Sequence, residues 1–131
     1  MGLSLVKNSY IYWEFIRNLR NTPEVKKGFI QQSTINVDKH EEYMKIYSNC
    51  FYICLDKEIP VGYIGVIDDD IRVAVLPSHQ GHGVATYMVD EVMKLHKTAY
   101  AKVKINNKAS LRLFKKCGFK EKYFILEKDE T

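Results

Sequence analysis

The stretch IRVAVLPSHQGHGVATYMVDEVM, residues 71–93, decides how the chain is read. Ile71 to Leu76 is a β-prone run, and Pro77 ends it because proline has no N–H to give a ladder. From about Gly83 the period changes. Val84, Met88, Val92 and Leu95 recur at helical spacing, with Ala85 and Val89 beside them, a wide apolar stripe suited to packing on a sheet. The link between them, Gln80-Gly81-His82-Gly83-Val84-Ala85, places two glycines at a helix start. Such a turn leaves several N–H groups unpaired at the positive end of the helix dipole. An anion belongs there, most naturally a phosphate or pyrophosphate. A dinucleotide fingerprint does not fit, because its third glycine would fall on Thr86.

Outward from this stretch, Phe51–Leu55, Ile59–Ile67 and Ile71–Leu76 are apolar runs separated by Asp56-Lys57-Glu58 and Asp68-Asp69-Asp70. Three strands with short polar links make an antiparallel meander. Gly62 and Gly65 mark a bulge or a close backbone approach. Leu3–Lys7 is a candidate first strand. The spacing of Tyr12, Phe15, Ile16 and Leu19 predicts a helix over Tyr10–Leu19. A short helix follows Pro23, and Gln31–Val37 is polar and expected as a loop. Another helix runs to about Ser48, with Asp38 as its cap and His40, Tyr43, Met44 and Tyr47 on one side. Beyond residue 95, Ala99, Ala101, Val103 and Ile105 alternate with polar residues and predict a strand parallel to Ile71–Leu76. Asn106 or Asn107 caps a last helix, with Ser110, Leu113, Phe114 and Cys117 on one face and Gly118 as its stop. Phe119–Glu127 is the final predicted strand. The fold class is therefore α/β (α+β): one mixed, mostly antiparallel sheet with a helical N-terminal part and flanking helices, in a single domain over residues 1–131.

Composition bounds the function. The 131 residues are 46% hydrophobic and 27% charged, as in a globular domain, and the net charge is +4. That charge suits an anionic small ligand. No basic stripe interleaved with aromatics points to nucleic acid. No apolar run is long enough to span a membrane, and the first residues lack the basic start and apolar core of a signal peptide, so the expected location is cytoplasmic. Cys50, Cys54 and Cys117 have neither metal-like nor disulfide-framework spacing, and reduced thiols with no metal are expected.

The segment Val75–Ala85 resembles the acetyl-CoA motif of the GNAT superfamily of N-acetyltransferases. The family pattern of Arg or Gln, two residues, Gly, one residue, then Gly or Ala maps onto Gln80, Gly83 and Ala85. Asn106–Phe119 is similar to the family's closing segment, in which an Asn begins a helix and the run ends in Gly-Phe. Phe15–Val25, with Phe29 and His40, is loosely similar to amino-sugar nucleotide and ribosomal-protein N-acetyltransferases.

The resemblance implies acetyl-CoA as co-substrate and direct attack by an amine on its thioester. It implies cofactor contacts from Val73, Ala74, Val75, Gln80, Gly81, His82, Gly83, Val84, Ala85, Thr86, Asn106, Ser110 and Phe114, with the backbone N–H of Val75 polarising the thioester carbonyl. For the base, Asp70 is preferred among Asp68, Asp69 and Asp70, with His40, His79, His82 and a water chain as alternatives. Many relatives place a Tyr near the cofactor sulfur where this chain has Phe114. Tyr123, Tyr87 or a water would stand in as acid, or the thiolate leaves unassisted. Trp13, Arg17, Arg20 and Asn21 are the candidate acceptor contacts, since an Arg can hold a diphosphate or carboxylate. The preferred acceptor is a small-molecule primary amine such as an amino-sugar nucleotide. Alternatives are a protein or peptide amine, at an N-terminus or a lysine, and a non-catalytic acyl-CoA-binding protein. Pairing of terminal strands would make a homodimer.

Overall fold

A computed structural model describes residues 2–30 and 34–129. Four strands, β1 (Leu3–Lys7), β2 (Phe51–Asp56), β3 (Ile59–Ile67) and β4 (Asp70–Val75), form one antiparallel sheet in the order β1-β2-β3-β4. The two inner hairpins turn on Lys57-Glu58 and Asp68-Asp69, and all four residues have positive φ. Two consecutive left-handed residues match the right-handed twist of the strands they join. The register slips between Cys54 and Leu55, which pair with Gly62 and Pro60, so β3 carries one extra residue there. A Cβ on Gly62 would lie 2.8 Å from the Ala74 carbonyl, and one on Gly65 would lie 2.6 Å from the Phe51 ring. Both glycines mark close approaches, and the bulge is next to Gly62.

Alternation along the strands feeds two cores. On one face, Val61, Ile64 and Cys54 pack with Val84, Met88, Val89 and Val92 of α4 (Val84–Leu95) and with Phe114 of α5 (Lys108–Lys116). On the other, Phe51, Ile53 and Tyr63 pack with Ile16 and Leu19 of α1 (Trp13–Asn21), Val25 of α2 (Pro23–Lys26) and Met44 of α3 (Val37–Tyr47). Among the described residues, no helix is long and apolar enough to cross a membrane.

Three expectations need correction. Asn36, not Asp38, caps α3, its side chain accepting from the Lys39 N–H at 2.9 Å. The strand expected over Ala99–Ile105 survives as one parallel bridge, Asp70 to Tyr100. Phe119–Glu127 joins no ladder. In both segments the local pattern is β-like, but a strand also needs a neighbour for its backbone groups. Of the loop expected over 31–37, residues 31–33 lie outside the described residues.

Candidate active site

The bridge between Asp70 and Tyr100 is where β4 parts from the chain that follows α4. Ile71 N–H donates to the Tyr100 carbonyl at 2.9 Å, and Tyr100 N–H to that of Asp69 at 2.7 Å. Ile71 N–H therefore points away from β3, and by the two-residue repeat so do those of Val73 and Val75. Neither makes a backbone hydrogen bond on that side among the described residues. These donors face a cleft of about 1190 Å³ between β4, α4, α5 and the α2 region.

The glycine turn forms one end of the cleft. Gly81 and Gly83 have φ of +80° and +82°, and a Cβ on either would meet nothing within 4 Å. The N–H groups of Gly81 through Thr86 find no acceptor among the described residues; the first helical bond is Tyr87 N–H to the Gly83 carbonyl, 3.0 Å. The loop is braced from behind. Gln80 Nε2 donates to the Val75 carbonyl at 3.3 Å. His79 stands 3.8 Å from Asp56 and 2.9 Å from the Ser78 hydroxyl.

The opposite wall is α5. Asn107 caps it by accepting from Ser110 N–H at 3.1 Å, and its Nδ2 donates to the Gly28 carbonyl at 3.1 Å, docking α5 on the end of the α2 region. Phe114 is 6% exposed and meets Phe119 edge-on at 5.1 Å, so it serves both core and cleft wall. The N-terminal helices close the remaining side. Arg20 stacks over the Tyr43 ring at 5.4 Å, and Arg72 donates to the Tyr43 hydroxyl at 3.0 Å. Burial pushes the Tyr43 phenol above its ordinary value, and more strongly that of the fully enclosed Tyr63. Both therefore present protonated hydroxyls at neutral pH.

Of the cofactor candidates, Val73, Ala74, Val75, Gln80, Gly81, Gly83, Val84, Ala85, Thr86, Asn106, Ser110 and Phe114 all line this one cleft, as does Asp70. His82 does not. Neither do Tyr87 and Tyr123, and Tyr123 is 89% exposed. Asp70 is limited by distance. At about 3.3 Å per residue it lies about 10 Å along β4 from Val73 and about 17 Å from Val75, too far to touch an amine held at Val75.

Arg20 is the one acceptor candidate in the cleft. Trp13 Nε1 donates to the Ser48 hydroxyl at 3.0 Å. Arg17 is held by Glu14. Asn21 clasps the Ile35 backbone through both its amide atoms, each at 2.9 Å. His40 is 2% exposed, with Nε2 donating to the Trp13 carbonyl at 2.7 Å, and burial depresses its pKa. It is a core histidine outside the cleft. Sequence reasoning missed Tyr43, Tyr63 and Arg72. The available signal was Arg72, a charge set among the apolar residues Ile71, Val73, Ala74 and Val75 of β4.

An open row of strand N–H groups running into a helix-start anion cradle suits an extended ligand with phosphates at one end. A coenzyme A thioester is a ligand of that shape. The chain belongs to the family described as "Acetyltransferase (GNAT) family", whose model matches residues 13–119. It is therefore an N-acetyltransferase that uses acetyl-CoA. Solved structures agree on the fold. Spermidine N-acetyltransferase from Vibrio cholerae, in complex with CoA and spermine, superposes with a TM-score of 0.84 at 22% identity, over 96% of this chain and 85% of that one. A domain from Methanocaldococcus jannaschii gives 0.82 at 22%, over 92% and 90%. A putative phosphinothricin N-acetyltransferase gives 0.71 at 16%, over 88% and 81%. No curated protein matches the sequence.

The residues present fit the cofactor. Six consecutive N–H groups without acceptors, and two left-handed glycines with open space at Cβ, are what a pyrophosphate requires. No group of His, Cys, Asp and Glu among the described residues could hold a metal.

Proposed function

We propose that the acceptor is a small-molecule primary amine that also carries an anionic group, with an amino-sugar nucleotide as the preferred case. The observation that carries this is the convergence of Arg20 and Arg72 on Tyr43 inside the cleft. Seven Lys and Arg side chains line the cleft against two carboxylates, Glu24 and Asp70. Some of that positive charge serves the phosphates of coenzyme A. Arg20 of α1 and Arg72 of β4 meet at Tyr43 of α3, with Arg72 also 3.9 Å from Asp70; in this reading the two arginines take a phosphate or carboxylate on the acceptor. A polyamine such as the spermine bound by the Vibrio cholerae structure would meet like charge there.

In this reading both reactants occupy the cleft together. The neutral amine attacks the thioester carbonyl, the C–N bond forms, and the oxygen draws on the outward N–H of Val73 or Val75 as charge develops on it. The C–S bond then breaks and the electron pair leaves with sulfur. A thiol pKa near about 8.5 makes the thiolate a tolerable leaving group without a side-chain acid, in keeping with Phe114 at that wall. Asp70 receives the amine's proton through a chain of waters rather than by contact.

The test is thiol release from acetyl-CoA with amino-sugar nucleotides, spermidine and short peptides as acceptors. The anionic amines should exceed spermidine in kcat/KM by about tenfold or more, one charge-assisted contact being worth about 1.5–3 kcal/mol. Arg72→Ala should raise KM for the anionic amine while leaving acetyl-CoA affinity intact. Faster turnover of spermidine, or equal loss of affinity for both substrates, would contradict the assignment.

A further inference from the structure

Tyr63 lines the cleft while only 2% exposed. It stands opposite Ala74 in the β3–β4 ladder, between the two residues, Val73 and Val75, whose N–H groups point into the cleft. Directly opposed side chains share one face of a sheet, with Cβ atoms about 4.5–5.5 Å apart. Here that face is the α1–α3 side, where Phe51 meets the Tyr63 ring edge-on at 5.8 Å.

Packing accounts for the ring but not for its oxygen. A phenylalanine would fill the same space without desolvating a hydroxyl. The hydroxyls of Tyr43 and Tyr52 are taken by Arg72 and His96, whereas that of Tyr63 makes no hydrogen bond among the described residues. Nor is it one of the enclosed polar atoms without a partner, which are Asn8 Oδ1, His40 Nδ1 and Asp56 Oδ1 among the described residues. Its oxygen opens on the cleft instead. Arg20, Tyr43 and Arg72 act on it electrostatically, so it faces the side assigned above to the acceptor. A deeply buried residue thus brings one free hydroxyl to the cleft, level with the N–H groups that would polarise the thioester.

We infer that Tyr63 is a catalytic residue: its hydroxyl accepts a hydrogen bond from an N–H of the attacking amine and donates its own proton to the first water of the chain leading to Asp70. The inference rests on the reading that the acceptor lies on the Arg20 and Arg72 side. As the C–N bond forms, the nitrogen gains positive charge and its N–H bond to the phenol strengthens. One N–H proton passes to the Tyr63 oxygen while the hydroxyl proton passes to the water, and the proton so displaced ends on Asp70. Tyr63 is neutral before and after. Because the contact strengthens only in the transition state, it acts on kcat rather than on substrate binding.

Tyr63→Phe removes an oxygen that no protein group holds. Its thermal midpoint should not fall, and acetyl-CoA should raise that midpoint as much as in the parent protein. With the amine that the parent acetylates fastest, kcat should drop about 10- to 100-fold at nearly constant KM, as for a lost charge-assisted hydrogen bond made in the transition state. Arg72→Ala, in contrast, is expected to act on KM. A kcat within about twofold of the parent's would overturn the inference. So would a loss carried by KM alone, or one matched by a lost acetyl-CoA shift, since either would make Tyr63 a binding or structural contact. Because the comparison uses the parent's fastest amine, failure of the anionic-acceptor reading, seen as a preference for spermidine, is distinguishable from failure here.

Discussion

Replacing Gly83 by alanine separates backbone strain from ligand binding. Gly83 holds φ at +82° with open space where a Cβ would go. Forcing an L-residue into that conformation costs about 1–2 kcal/mol. A 131-residue domain unfolds with an entropy near about 0.28 kcal/mol/K, so the midpoint should fall by about 4–7 °C. Gly118 is the internal control. Its φ is +93°, its Cβ position is equally open, and it lies outside the cleft, so Gly118→Ala should lose a similar amount. Acetyl-CoA distinguishes them. At a concentration about 100-fold above Kd, it should raise the midpoint of the parent protein and of Gly118→Ala by about 10 °C, from about 2.7 kcal/mol of linkage. In Gly83→Ala the new methyl enters the cleft and the flanking N–H groups shift. Losing one or two charge-assisted hydrogen bonds weakens binding by about 100-fold. At the same concentration the shift then shrinks to about 1–2 °C. Scanning fluorimetry of the three proteins with and without acetyl-CoA reads every one of these shifts. Equal ligand-induced shifts in the two variants would refute the placement of the pyrophosphate at this turn.

Gly65→Ala places its Cβ 2.6 Å from the buried Phe51 ring, so it should cost about 1–3 kcal/mol by overpacking, read as a lower urea midpoint with unchanged slope. Cys54 is fully buried, and burial pushes its pKa up to about 11. Its thiolate fraction near pH 8 is about one in a thousand, so a thiol reagent should label it only after unfolding. His40 has a folded pKa below the ordinary 6.5 because burial disfavours its charged form. The unfolded chain binds the extra proton first, so His40's contribution is constant above about 6.5 and stability falls as pH drops through that value. His40→Gln keeps a donor for the Trp13 carbonyl and should flatten this acid limb in denaturant titrations at about pH 5 and about pH 8; an unchanged slope with pH would count against it.

The three strands of the meander, the candidate first strand, the glycine turn and the α5 wall were legible because each rests on local signals: alternation, a proline stop, a cap, a left-handed glycine. The acceptor side was not. Tyr43 is on the same run as His40 and Met44, and periodicity alone marks all three as core. Only the sheet shows that Tyr43 looks toward Arg72 of β4 and Arg20 of α1. Trp13, Arg17 and Asn21 have chemistry suited to a ligand, but their donors are already used on Ser48, Glu14 and Ile35. Segments 101–105 and 119–127 mark a different limit. Their alternation is real, but a ladder depends on a second strand whose position no local pattern encodes.

The central claim is that this cleft moves an acetyl group from coenzyme A to an amine. Its most direct measurement is thiol release from acetyl-CoA with mass spectrometry of the acceptor, using the anionic amine panel. The account predicts stoichiometric thiol and N-acetylated amine, with both lost in Gly83→Ala at subsaturating acetyl-CoA. Thiol release without an acetylated amine, or no release with any acceptor while acetyl-CoA binds, would contradict it.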